Sequence, residues 1–166
     1  MIAHESAPLN AAAIDVGHAS GEAKGCRMDD DVYATDHTRR MIAGDAASGA
    51  LGMRVVRAEP GRAVVRMTVR SDMLNGFAVA HGGFVFALAD TALALACNET
   101  EAVTLVAGAD IAFLSPAHEG DELEAVAERR AFEGRSGLYD VRVSTGDGRI
   151  VAELRGRTRE TGMPRP

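Results

Sequence analysis

The feature that most constrains this chain is its longest apolar run, residues 84–97, which carries one charge, Asp90. The run is shorter than the ~20 residues a spanning helix needs, so it reads as a core helix, entered through His81-Gly82-Gly83. A helix apolar on all sides is normally buried. The rest of the fold therefore has to wrap around it. No basic side chain lies within a helical turn of Asp90. Burying an unpaired carboxylate is costly, and the usual response is a raised pKa. Perturbed acids cluster at functional sites.

The flanking segments supply the wrapping. Before the helix, the runs 53–58 and 62–70 alternate around Glu59-Pro60-Gly61 and predict a hairpin. After it, strands are predicted over 102–114, 121–133, 137–145 and 149–159, separated by Pro- and Gly-containing turns. A short helix is predicted over 36–47, with Thr35 or Asp36 as its N-cap and Gly49 and Gly52 ending it. The fold class is α+β: a long central helix wrapped by a mostly antiparallel sheet of five to six strands. Residues 1–30 lack periodicity and read as a flexible N-terminal extension. The folded domain spans 31–161 and a tail covers 162–166.

A net charge of −6, with 17 Arg and one Lys, leaves no overall nucleic-acid footprint. The absence of Trp and the two Tyr remove a base-stacking platform. Arg129, Arg130 and Arg135 are either a local phosphate patch or solvated strand ends. Cys26 and Cys97 predict no disulfide framework. With no secretory leader legible, the cytoplasm is expected, and neither nucleic acid nor membrane is an expected partner. His4, His18 and His37 fall in or near the extension, and His118 with Asp121-Glu122 reads as loop and strand start. No metal-ligand spacing, phosphate loop or serine nucleophile elbow is present.

The remaining chemistry is carboxylate-driven, with Asp90 as nucleophile or as general base on water. The first N–H groups of a helix have no internal partner and, with the helix dipole, favour negative charge. Gly82-Gly83 lets a substrate carbonyl approach such groups, as an oxyanion hole requires. Asp90 lies seven residues beyond Gly83, roughly 10 Å along the axis, too far to act on the same carbonyl. An antiparallel second copy of the helix closes that gap, which predicts a homodimer with composite sites. His81 either caps the turn or touches substrate. Asn75 in Asn75-Gly76 is a turn residue or a site residue. Thr91 either back-bonds to its helix or meets substrate. Phe84, Phe86 and Leu88 line an acyl pocket or pack the core.

At Met73-Leu74-Asn75-Gly76, His81-Gly82-Gly83, Leu88-Ala89-Asp90-Thr91-Ala92 and Ala96-Cys97-Asn98, the chain resembles the hotdog-fold acyl-CoA thioesterases of the phenylacetate-degradation (PaaI-type) branch. The likeness continues more weakly through Phe113-Leu114, Pro116, Gly120-Asp121 and Gly137-Leu138-Tyr139-Asp140. It implies hydrolysis of an aryl- or medium-chain acyl-CoA, and dimers pairing into tetramers. The Gly82 N–H would polarise the carbonyl and Asp90 of the facing subunit would attack it or activate water. Asn75 would orient the water or the carboxylate, and His81 would support the turn. Gly83, Thr91 and Phe84 are the substrate-binding candidates. No cofactor is implied beyond the CoA of the substrate. Relatives often place a Ser or Thr on the following strand, where this chain has Val106-Ala107-Gly108 and its nearest hydroxyl is Thr104. The alternatives are a non-catalytic acyl-CoA sensor and, against the lack of a second His near Asp90, a hotdog hydratase.

Overall fold

The computed structural model describes residues 25–28, 32–98 and 102–164. His4, His18 and most of the expected N-terminal extension lie outside the described residues. In chain order the elements are β1 (Arg27–Met28), α1 (Asp36–Gly44), α2 (Ala46–Ala50), β2 (Arg54–Glu59), β3 (Arg62–Thr68), α3 (Gly82–Cys97), β4 (Ala102–Phe113), β5 (Glu122–Glu133), β6 (Ser136–Thr145) and β7 (Ile150–Pro164).

One sheet of order β1-β2-β3-β5-β6-β7-β4 wraps α3, antiparallel throughout except where β1 runs parallel to β2. The expected five to six strands are thus seven. The additional one is the two-residue β1, too short to leave a periodic signal. The sheet also extends past residue 161, since β7 runs to Pro164 and pairs there with Ala102. The chain leaves β3 through α3, arrives at the far edge as β4, and returns with β5 beside β3. α3 therefore lies across the sheet that its flanking strands frame.

Alternation decides which side chains meet the helix. Val65 and Met67, Ala125 and Ala127, Val141 and Val143, and Ala152 and Leu154 are all buried on the face that α3 covers. From the helix come Val85, Leu88, Ala89, Ala92, Leu93 and Ala96. The small residues on both sides permit a close approach. It is closest at Gly156, where an added Cβ would stand 2.3 Å from Leu93 Cδ2.

The single helix expected over 36–47 is two. Thr35 Oγ1 accepts Thr38 N–H at 3.2 Å and starts α1. Asp45 leaves helical geometry and accepts Ser48 N–H at 3.0 Å, so it caps α2. Gly49 lies within α2 rather than ending α1. An Asp inside a helical pattern competes for backbone donors and starts a new helix instead of continuing the old one.

Candidate active site

The turn that precedes α3 is held from three sides. Asn75 N–H donates to Val79 O at 2.8 Å, Ala80 N–H to Ala117 O at 2.8 Å and His81 N–H to Met73 O at 2.9 Å. Asn75 Oδ1 accepts Phe77 N–H at 2.8 Å, an Asx turn. Ala78 adopts φ 58°, a left-handed conformation uncommon for a non-glycine residue. His81 is the N-cap of α3: its Nδ1 accepts Gly83 N–H at 3.0 Å and its carbonyl accepts Phe84 N–H at 2.9 Å. These bonds leave the Gly82 N–H without a hydrogen-bond partner among the described residues. It borders a cavity of about 390 Å³ that Asn75, Phe113 and Pro116 also line. A Cβ on Gly82 would come to 3.1 Å from the Phe113 ring, so glycine is what keeps this approach open.

Asp90 opens elsewhere. It borders a larger cavity, about 610 Å³, whose wall is mainly Met41, Ala94, Val103, Leu105 and Val106, with His37, Arg40, Asn98 and Thr104 among them. Asp90, Ala94 and Asn98 follow one another at four-residue spacing on one helix face. The Asp90 carboxylate is half-buried and has neither a hydrogen bond nor an ion pair among the described residues. Burial raises its pKa above the usual carboxylate value. Gly82 and Asp90 are eight residues apart, about 12 Å along the axis, and border different cavities. One chain therefore brings Asn75, His81 and Gly82 together and holds Asp90 apart from them.

Other expected site residues have structural partners. Thr91 Oγ1 lies 3.0 Å from Ser48 Oγ, which donates to Asp45 Oδ2 at 2.6 Å, so Thr91 ties α3 to α2 and borders neither cavity. Phe84 is half-buried with its ring edge-on to His81 at 6.1 Å, also outside both cavities. Phe86 is likewise half-buried, while Leu88 is fully buried. Cys26 and Cys97 are buried and neither is in a disulfide among the described residues; burial pushes the Cys26 thiol up to about 11. Arg130 pairs with Asp140 at 2.9 Å, and Arg135 donates to Glu160 O at 2.7 Å, as strand-end residues do.

Four contributors lie beyond the site residues expected from the sequence. His37 falls in or near the expected extension, yet α1 brings it and Arg40 to the wall of the Asp90 cavity. Phe113 reaches Gly82 from the end of β4. Asn98 ends α3 by donating to Ala94 O at 2.9 Å and Thr104 O at 2.8 Å while accepting Thr104 N–H at 3.0 Å. Of these only Asn98 had a local signal, an Asn directly after the apolar run. Among the described residues no cluster of three or more His, Cys, Asp or Glu is placed to hold a metal ion, and no helix is long and apolar enough to cross a membrane.

β4 forms one edge of the sheet, pairing with β7 on one side and with no described strand on the other. Leu105 and Phe113 on it are 51% and 54% exposed. Long apolar edges of this kind are usually covered in the working molecule.

Residues 77–152 match the model of the thioesterase superfamily. The chain is 38% identical to the acyl-coenzyme A thioesterase PaaI of Escherichia coli, over 78% of this chain and 92% of that one. The solved structure of the E. coli PaaI protein superposes with a TM-score of 0.75, covering 77% of this chain and 93% of that chain at 38% identity. A Streptococcus mutans protein whose structure holds acetyl-CoA superposes with a TM-score of 0.64 at 25% identity, over 68% of this chain and 91% of that chain.

Proposed function

This chain belongs to the thioesterase superfamily, with the hotdog fold of its PaaI-type members, and on that premise we propose that it hydrolyses acyl-CoA thioesters to the free acid and CoA. The acyl group is of the aryl or medium-chain kind. The Gly82 N–H at the start of α3 donates a hydrogen bond to the thioester oxygen as negative charge develops on it. Asp90 acts on the carbonyl carbon, as nucleophile or through a water that it deprotonates. The C–S bond then breaks, water supplies the hydroxyl of the acid, and the sulfur leaves as the CoA thiol. His81 fixes the turn, and Asn75 stands beside the carbonyl to orient water.

The observation that carries this proposal is Asp90: a half-buried, unpartnered carboxylate opening on an apolar cavity. Such a group is poised for proton or acyl transfer rather than for stability. Relatives named as acting on or holding CoA esters support the choice of substrate.

In this scheme each half-site of one chain meets the complementary half-site of a second copy across a two-fold axis. Asp90 of one copy faces Gly82 of the other, and the open β4 edge with Leu105 and Phe113 forms part of the interface. Pairing of such dimers gives a tetramer. Complementation tests the arrangement. Asp90→Asn and Gly82→Val chains, each inactive alone, are co-expressed at equal levels. Mixed dimers then hold one intact site of two, and about a quarter of wild-type thiol release returns. No recovery in verified mixed dimers overturns the composite site.

One observation favours a second reading. His37 shares the Asp90 cavity, and a hydratase would use such a pair to add water across an enoyl-CoA. Loss of enoyl absorbance without thiol release would move that reading ahead.

A further inference from the structure

The wall of the Gly82 cavity is held by a side chain from the opposite end of the sequence. Ser115, Pro116 and Ala117 form part of this wall, and Ala117 O accepts the Ala80 N–H two residues ahead of Gly82, at 2.8 Å. The loop they belong to has no secondary structure of its own between β4 and β5. Arg149, in the turn between β6 and β7, reaches it with both arms of its guanidinium. Nη1 donates to Pro116 O, and Nη2 donates to Asp121 Oδ2 at 3.0 Å. The same Asp121 oxygen accepts His118 N–H at 2.9 Å, which closes the loop on itself. Arg149 and Asp121 side chains are 36% and 27% exposed, so this pair is partly withdrawn from water.

We propose that Arg149 is a positioning residue for thioester hydrolysis: it holds the 115–121 loop so that Ala117 O fixes Ala80 and the Gly82 N–H faces the cavity. The inference rests on the function proposed above for Gly82. Charge-assisted bonds from one planar fork fix both distance and direction, which a lysine ammonium does not reproduce. Bond by bond, the path runs from Arg149 to Pro116, through the next peptide to Ala117 O, and across to Ala80. A small displacement of the turn moves a single N–H donor relative to the carbonyl. Displacements of that size at a reacting group are felt in kcat more than in binding.

Arg149→Met keeps the aliphatic stem and removes every donor. Arg149→Lys keeps the charge without the fork. Two readouts are taken on the full chain: kcat and KM for thiol release from phenylacetyl-CoA and hexanoyl-CoA, and amide hydrogen exchange at Ala80 compared with core amides of β6. In Arg149→Met, kcat falls about tenfold with KM within about twofold. The Ala80 amide exchanges at least about tenfold faster while the β6 amides keep their protection. Arg149→Lys falls between. Unchanged exchange at Ala80 overturns the proposal, and so does an equal acceleration at every core amide, which reports a merely stabilising role. If the wild type releases thiol from neither ester, the function proposed for the site fails, while the exchange arm still decides whether Arg149 holds the turn.

Discussion

Asp140 and Asp90 are the same residue type in opposite settings. Asp140 stands on β6, on the outer face of the sheet, where Arg155 meets it at 2.7 and 2.9 Å and Arg130 at 2.9 Å. The Arg155 hydrogen bonds, then Arg130, hold its carboxyl below the usual value. Asp90 stands on the helix that the inner face covers, has no paired cation among the described residues, and is pushed up by burial. Elsewhere on the outer face Glu124 has Arg66, Glu153 has Arg142 and Asp110 has Arg157. Seventeen arginines are available, yet none of those among the described residues is paired with Asp90. The isolation of Asp90 is therefore a matter of placement, not of supply. Pairing settles a carboxylate as a structural charge, and withholding it keeps the charge costly and reactive.

The sharpest way to break this contrast is to neutralise each aspartate. Asp90→Asn lowers thiol release at least ~10²-fold, the size of a lost acid–base group, measured with phenylacetyl-CoA and hexanoyl-CoA. The same variant is more thermostable than wild type at pH 7. A carboxyl whose folded pKa is raised binds its proton more tightly when folded, so stability is lost as pH rises from the ordinary value of 3.8 through the raised one. Asparagine does not titrate, and the gain closes below that window. A destabilised Asp90→Asn at pH 7 would show that the carboxylate has a partner after all.

Next in size is the pH profile. The acid limb of kcat/KM sits above the ordinary carboxylate value of 3.8, because Asp90 must ionise to act. A limb at or below that value would put Asp90 in the same class as Asp140.

The smallest effect is on the paired side. Asp140→Asn leaves thiol release unchanged and lowers stability at neutral pH by about 1 kcal/mol or less, an amount that shrinks in high salt. Here the sign is reversed. The folded pKa is lowered, so the contribution is present above the ordinary carboxylate value and is lost as pH falls through the depressed one. Melting curves across pH and salt check both statements.

The contrast also marks what the sequence disclosed. Strands β4 to β7 were legible because period-2 alternation and Gly turns are local signals, and α3 because fourteen residues of apolar sequence permit little else. Asp90 stood out for the same reason, a charge with no cation nearby in sequence. What stayed hidden depends on contacts between distant segments. Phe113 meets Gly82 only once β4 has crossed to the far edge. His37 and Arg40 reach the Asp90 cavity from α1, which is followed by a second helix that Asp45 caps and that Ser48 ties to Thr91 of α3. Thr91, for which the sequence leaves open a back-bond to its helix or a substrate contact, has its hydroxyl on Ser48 of α2. Adjacency in sequence puts two residues on different faces of a helix.

Gly156 makes the converse point. It lies on β7, where a methyl group would collide with Leu93, and Leu93 follows Asp90 by less than one helical turn. How closely the helix that carries the carboxylate approaches the sheet here depends on an atom that β7 lacks, sixty-six positions beyond Asp90 along the chain. A side chain at this strand position would have to push Leu93, and the helix with it, away from β7. A catalogue of functional positions compiled from side chains alone would pass over it, because its contribution is vacant space.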